Sequence, residues 1–162
     1  MTTFSGMVFK PDITYDNSPR SNAERADVET AELMVEVKLN EQDDPFKVKP
    51  TVEGFLCDSE RPRQTLGQLT SYTSAHLAAQ FRTHVFSVLL FSKSARLMRW
   101  DRAGVIVSDR IPLDSSVLTQ FFWRFSNADA MKRGHDLLSL LLYSRGIWQR
   151  SIFWPASVWR WP

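Results

Sequence analysis

The chain is 162 residues long, 43% hydrophobic and 23% charged, which fits one folded unit with a core large enough to need no staples and excludes a fibrous or wholly disordered chain. Cys57 is the single cysteine, so no intramolecular disulfide can form, and a reducing compartment, cytoplasm or nucleus, is expected. The net charge is +2, but it is unevenly spread: residues 1–65 hold 13 Asp/Glu against 8 Lys/Arg, and residues 66–162 hold 5 against 12.

No basic segment followed by an apolar run opens the chain, and no stretch approaches a membrane span, so an intracellular protein without membrane contact is expected. Residues 1–30 read as an N-terminal arm and polar loop. Met7-Val8-Phe9 is a short apolar piece, Pro11 suits a strand start or edge, and Asp16 to Asp27 reads as a loop.

A single α/β domain is expected over residues 31–144. Ala31 to Leu39 alternates, which puts Leu33, Val35, Val37 and Leu39 on one strand face and Met34, Glu36 and Lys38 on the other. Asn40 to Pro45 is an acidic turn, and Val48 to Leu56 a weaker strand weakened by Pro50 and Gly54. A helix is predicted from Pro62, placed at the first helical position, to Phe81. Its apolar stripe runs through Leu66, Leu69, Thr73, Leu77 and Phe81, with Tyr72 and His76 beside it and Gln68, Gln80 and Arg82 facing water.

His84 to Phe91 is Val-, Leu- and Phe-rich over a strand's length, the pattern of a central buried strand. Arg96 to Trp100 and Gly104 to Ser108 form a hairpin-like pair, with Gly104 at a positive-φ turn position and Pro112 ending the run. Asp114-Ser115-Ser116 is an N-cap cluster ahead of Phe121-Phe122-Trp123, which is expected to face the sheet. A further helix is predicted from Ala128 to about Tyr143, with Gly134 its weak point. Residues 145–162 hold four of the six Trp and show no period, an irregular tail. The fold class is therefore α/β: a mixed or mostly antiparallel sheet of about four to five strands with packed helices.

Two sets of residues carry chemistry. Pro11-Asp12, Glu36-Val37-Lys38 and Gln68-x-x-x-Tyr72 follow the order of the PD-(D/E)xK nuclease pattern, and this resemblance implies a restriction-endonuclease-like core. Two carboxylates, Asp12 and Glu36, can hold a divalent cation such as Mg2+ through oxygen, and a lysine on the same strand face, Lys38, can orient or deprotonate water. Gln68 and Tyr72 lie one helical turn apart and support the same site. Such a site would take nucleic acid. The second set, Arg99, Trp100, Asp101 and Arg102, sits at the hairpin, either as an Arg–Asp pair beside a packed Trp or as an interaction surface.

Six phrases together resemble the fungal-type protein kinase family in the segment preceding its kinase lobes. They are Glu36-Val37-Lys38, residues 67–72, residues 80–86, the Arg-Leu-x-Arg-Trp-Asp-Arg-x-Gly phrase at 96–104, residues 122–125 and Arg133-Gly134-His135-Asp136. The resemblance covers about residues 30–136. It implies an accessory or interaction portion whose partner is a missing or separate kinase region or another protein, with no cofactor of its own. The catalytic-loop His-Arg-Asp and the magnesium-holding Asp-Phe-Gly of a kinase do not occur, so phosphoryl transfer by this truncated chain is not expected.

Overall fold

The computed structural model describes residues 2–4, 7–9, 11–16, 28–51 and 54–145. The polar loop at 17–27 and nearly all of the Trp-rich segment (146–162) lie outside the described residues. A small antiparallel hairpin, β1 (Thr2–Phe4) and β2 (Met7–Phe9), precedes the main sheet.

The main sheet has six strands: β3 (Ile13–Asp16), β4 (Ala31–Val37), β7 (His84–Leu90), β8 (Ser94–Asp101), β9 (Gly104–Val107) and β10 (Ile111–Pro112). Between β4 and β7 come a second hairpin, β5 (Phe46–Thr51) with β6 (Gly54–Leu56), and the helix α1 (Glu60–Ala79). The sheet order is β10-β8-β7-β4-β3, with β9 also on β8. Only β4 and β7 pair in parallel, and α1 is their crossover; the other pairs are antiparallel.

This is the α/β class read from the sequence, with six strands in the main sheet; the weaker strand expected over Val48 to Leu56 is instead the separate β5–β6 hairpin. Ile111–Pro112, expected only to end a run, pairs with β8. The other unread strand is Ile13–Asp16, assigned above to an arm outside the domain. It pairs with β4 from Ile13 against Val35 to Asp16 against Ala31, so the boundary at residue 30 does not hold. A four-residue strand bounded by Pro11 and Asn17 is too short to show its period.

The sheet is buried on both faces, which is why β7 reads as a continuous apolar run. Val85 and Leu89 pack with Leu69, Met98 and Trp100 under α1, while Val88 and Phe86 pack with Leu33, Val35, Ala95 and Phe125 on the opposite face. The second layer is α2 (Ser116–Ser126), which lays Phe121 and Phe125 on Phe86 with ring centroids 6.1 and 5.9 Å away. Phe122 and Trp123 point away from the sheet and are exposed, contrary to the expectation that the whole Phe121-Phe122-Trp123 run faces it. A helix can present only one or two of three consecutive side chains to a neighbour.

Three helix boundaries differ from the sequence reading. α1 starts at Glu60 with Ser59 as N-cap, so Pro62 is the third helical residue; its missing N–H still falls among the four that have no intrahelical acceptor. The helix stops at Ala79, and Phe81 takes a left-handed φ of 51°, the conformation that commonly follows a helix end. The predicted helix from Ala128 is largely turns; only Leu137–Ser144, α3, is helical. Gly134 has φ 101°, and Asp136 restarts the helix by accepting from the Ser139 N–H and hydroxyl at 3.1 and 2.7 Å. Among the described residues no helix is long and apolar enough to cross a membrane.

Candidate functional site

The β4 strand runs Glu32, Met34, Glu36 on the face toward α1, and Lys38 follows just past its end. Continuing the β3–β4 register by one pair sets Asp12 opposite Glu36. Asp12 Oδ2 accepts the Val37 N–H at 2.8 Å, which ties the residue before β3 to the end of β4. On the other side α1 brings Gln68 over the same strand end. Lys38 Nζ donates to Gln68 Oε1 at 2.7 Å and contacts Glu36 Oε1 at 2.8 Å. Asp12, Glu36, Lys38 and Gln68, drawn from three separate elements, therefore meet at one corner of the sheet.

Glu36 is 4% exposed, and its second oxygen, Oε2, has no hydrogen-bond partner. Burial pushes its carboxyl above the ordinary value, the nearby Asp12 charge pushes the same way, and the hydrogen bond and charge of Lys38 oppose both. A buried carboxylate oxygen left unpaired carries a desolvation cost of about 1–3 kcal/mol or more. A cation or a proton at Oε2 removes that cost.

Tyr72, the other residue of the helix motif, does not reach the corner in the same way. It is buried under α1 with Met34, Ala75 and Ala79, and it lines a small enclosed space behind Glu36 together with Thr73, His76 and Ser87. Lys38 and Gln68 face outward instead, onto an open cleft of about 510 Å³ whose other walls are Asp43, Arg61, Gln64 and Thr65. Arg61 Nε pairs with Asp43 Oδ1 at 2.9 Å.

The donor set fits a hard divalent cation: two carboxylates, one of them with a free buried oxygen, satisfy the oxygen preference of Mg2+, which keeps several waters and uses one or two protein carboxylates. Among the described residues no group of three or more His, Cys, Asp or Glu side chains converges to hold an ion. A site here would thus lean on solvent and substrate oxygens for its remaining ligands.

The hairpin set separates. Arg99 Nη1 pairs with Asp101 Oδ2 at 3.0 Å, and Asp101 Oδ1 accepts the Ala103 and Gly104 N–H groups, closing the turn. Trp100 is buried in the core, its indole N–H donating to Ser87 Oγ at 2.8 Å, while Arg102 is exposed. Trp100 is therefore not a surface residue, because period 2 sends it to the opposite face from Arg99.

Sequence reading misses a buried ionic cluster at the other end of β4. Arg82 is 1% exposed and donates to Glu32 Oε2 at 2.9 Å, to Gln80 Oε1 at 2.7 and 3.0 Å and to the Arg133 carbonyl at 2.7 Å. His135 Nε2 lies 3.0 Å from Glu32 Oε1. Gln80 donates to the Val28 and Ala31 carbonyls. Gln80 and Arg82, expected to face water, are buried because their partners lie about fifty residues away along the chain, beyond any local period. The one available signal is Glu32, which shares the Glu36 face of β4. His76 is fully buried, with Nε2 donating to the Ala31 carbonyl at 2.6 Å and Nδ1 unpaired.

Comparison of the chain with protein-family models, with curated proteins and with solved structures finds no match.

Proposed function

We propose that the chain is a metal-dependent phosphodiesterase of nuclease type, acting on nucleic acid at the corner formed by Asp12, Glu36, Lys38 and Gln68. The observation that carries this reading is the meeting of Lys38 Nζ with both Glu36 Oε1 and Gln68 Oε1, beside an unpaired, buried Glu36 Oε2. Asp12 and Glu36 would hold a divalent cation. When bound, the ion would polarise the phosphate and stabilise the charge that develops on it. Lys38 is held by two acceptors at the mouth of the cleft, where an ammonium can orient an attacking water and face a phosphate oxygen. Gln68 fixes the Lys38 side chain, and Asp12 is fixed through the Val37 N–H. The parallel β4–β7 pair with α1 as its crossover supports a restriction-endonuclease-like core.

The test is cleavage of single- and double-stranded DNA and RNA with Mg2+ or Mn2+, against the same reactions in chelator. Glu36→Gln and Lys38→Met are each expected to reduce cleavage at least a hundredfold, since losing even one neutral donor that stabilises developing charge costs about 2.7–4 kcal/mol of transition-state stabilisation. Metal-dependent cleavage that survives Glu36→Gln unchanged would sink the assignment.

A second reading keeps the chain as the accessory portion of a fungal-type protein kinase-like protein. It draws on the motif phrases and on exposed apolar side chains of α2, α3 and the turns between them: Trp123 is 67% exposed, Leu138 65% and Met131 64%. On this reading a separate kinase-type polypeptide binds that face, and Trp123→Glu abolishes the binding in a pull-down of the two purified proteins.

A further inference from the structure

The cleft beside Lys38 carries a charge balance that the catalytic reading does not use. Among the described residues its cations are Lys38 and Arg61. Against them stand Glu36, paired with Lys38, Asp43, paired with Arg61, and Asp12 at the strand end. With these five described groups ionised, they hold a net of minus one. A divalent cation on Asp12 and Glu36 would reverse the sign to plus one.

The Asp43–Arg61 pair is built asymmetrically. Asp43 belongs to a 3-10 turn, Glu41–Asp43, capped by the Asn40 side chain accepting from the Gln42 N–H, and its side chain is 11% exposed. The Arg61 side chain is 62% exposed. An ion pair of which one member is so open contributes at most about 1 kcal/mol, so its guanidinium can exchange partners cheaply. Arg61, Gln64 and Gln68 follow one stripe of α1, about 10 Å long at about 1.5 Å per residue. Gln68 gives its carbonyl oxygen to Lys38, which leaves its amide N–H groups for an acceptor in the cleft. Among the described residues the lining is polar or charged throughout, with groups suited to the phosphate backbone.

We infer that Asp43 latches Arg61 and keeps the cleft closed to polyanions until a divalent cation occupies Asp12 and Glu36, after which Arg61 exchanges Asp43 for the phosphates of a polynucleotide backbone. The inference rests on the proposed metal site. It predicts ordered binding, cation first, without sequence preference.

The test is fluorescence anisotropy of labelled oligodeoxythymidylate and oligouridylate twelve-mers with the full chain, in chelator and in Ca2+, an oxygen-seeking ion used as the probe. Calorimetry of Ca2+ binding to the chain alone runs alongside. Binding is expected to be at least tenfold tighter in Ca2+, with log K falling against log salt at a slope of about −1.4 for two phosphate contacts to a single strand. Arg61→Gln should lower the slope to about −0.7, and Asp43→Asn should raise affinity in chelator at least fivefold. Gln64→Glu, an exposed change on α1, should weaken oligonucleotide binding without altering Ca2+ uptake. Ca2+ uptake with no gain in oligonucleotide affinity, or a slope untouched by Arg61→Gln, overturns the latch and leaves the metal site standing. No Ca2+ uptake by the chain overturns the metal site itself.

Discussion

Arg82 and Glu32 form a pair that is costly to break. Replacing Arg82 by Met leaves the Glu32 carboxylate buried against His135 at 3.0 Å and the more distant Arg133 at 3.9 Å, and a change of that kind costs about 3–5 kcal/mol. Chemical denaturation reads the loss directly. The same carboxylate ties stability to pH. Burial alone would raise Glu32, but hydrogen bonds with His135 and Arg82 outweigh it and hold the group at about 2 against an ordinary 4.5. Its contribution, about 3 kcal/mol, is present above pH 4.5 and is lost as the pH falls toward 2. His76 acts over a higher window. Burial holds it at about 3 against an ordinary 6.5, so between those values the unfolded chain carries a proton that the folded chain does not. Stability therefore starts to fall below pH 6.5. His76→Gln, which keeps a donor for the Ala31 carbonyl, should flatten the melting temperature between pH 6.5 and 4.5; an unchanged slope there would assign the effect elsewhere.

At the level of elements, α2 divides into a packed and an open side. Phe125 is 6% exposed and meets Tyr15, Phe86 and Phe121 edge-on or tilted. Phe125→Ala should cost about 3–5 kcal/mol in urea unfolding. Trp123→Ala, at an exposed site, should stay within about 0.5 kcal/mol. The elements themselves are legible in the sequence where one period governs a long run. β7 and α1 are read nearly to their ends, and so is the shared face of Glu36 and Lys38. The failures have a common cause. Gln80 and Arg82 are polar residues whose partners, Glu32, Val28, Ala31 and Arg133 among them, lie far away along the chain, so local pattern sends them to water. The stretch from Ala128 has helical composition, yet Gly134 sits against the His84 carbonyl, where an added Cβ would collide, and Thr83 N–H donates to Gly134 O at 2.8 Å. Tertiary contact overrides propensity there. At the candidate site, the order Asp12, Glu36, Lys38, Gln68 is visible in the chain, whereas Arg61 and Asp43 enter only through the packing of α1 on the turn after β4.

For the whole molecule, the parallel β4–β7 pair is the hinge of the topology, and β3 closes its outer side. A chain beginning at residue 31 would lose β3 and Asp12 together and bare the edge of β4, whose residues are buried nearly throughout. Such a chain is expected to aggregate on refolding, seen as light scattering at concentrations where the full chain stays clear. A truncated chain that refolds clear and keeps its melting temperature would show that β3 is dispensable to the sheet.

The bond from the Val37 N–H to Asp12 gives the edge strand a second meaning. β3 is four residues long and, among the described residues, has a strand neighbour on one side only, the kind of element that opens first in local unfolding. A slip of one residue against β4 would turn Asp12 to the far face and carry one of the two carboxylates away from the corner. Strand registry and cation affinity would then be a single equilibrium: whatever frays the edge empties the site, and whatever fills the site holds the edge in register. The exchange rate of one amide proton, that of Val37, measures both.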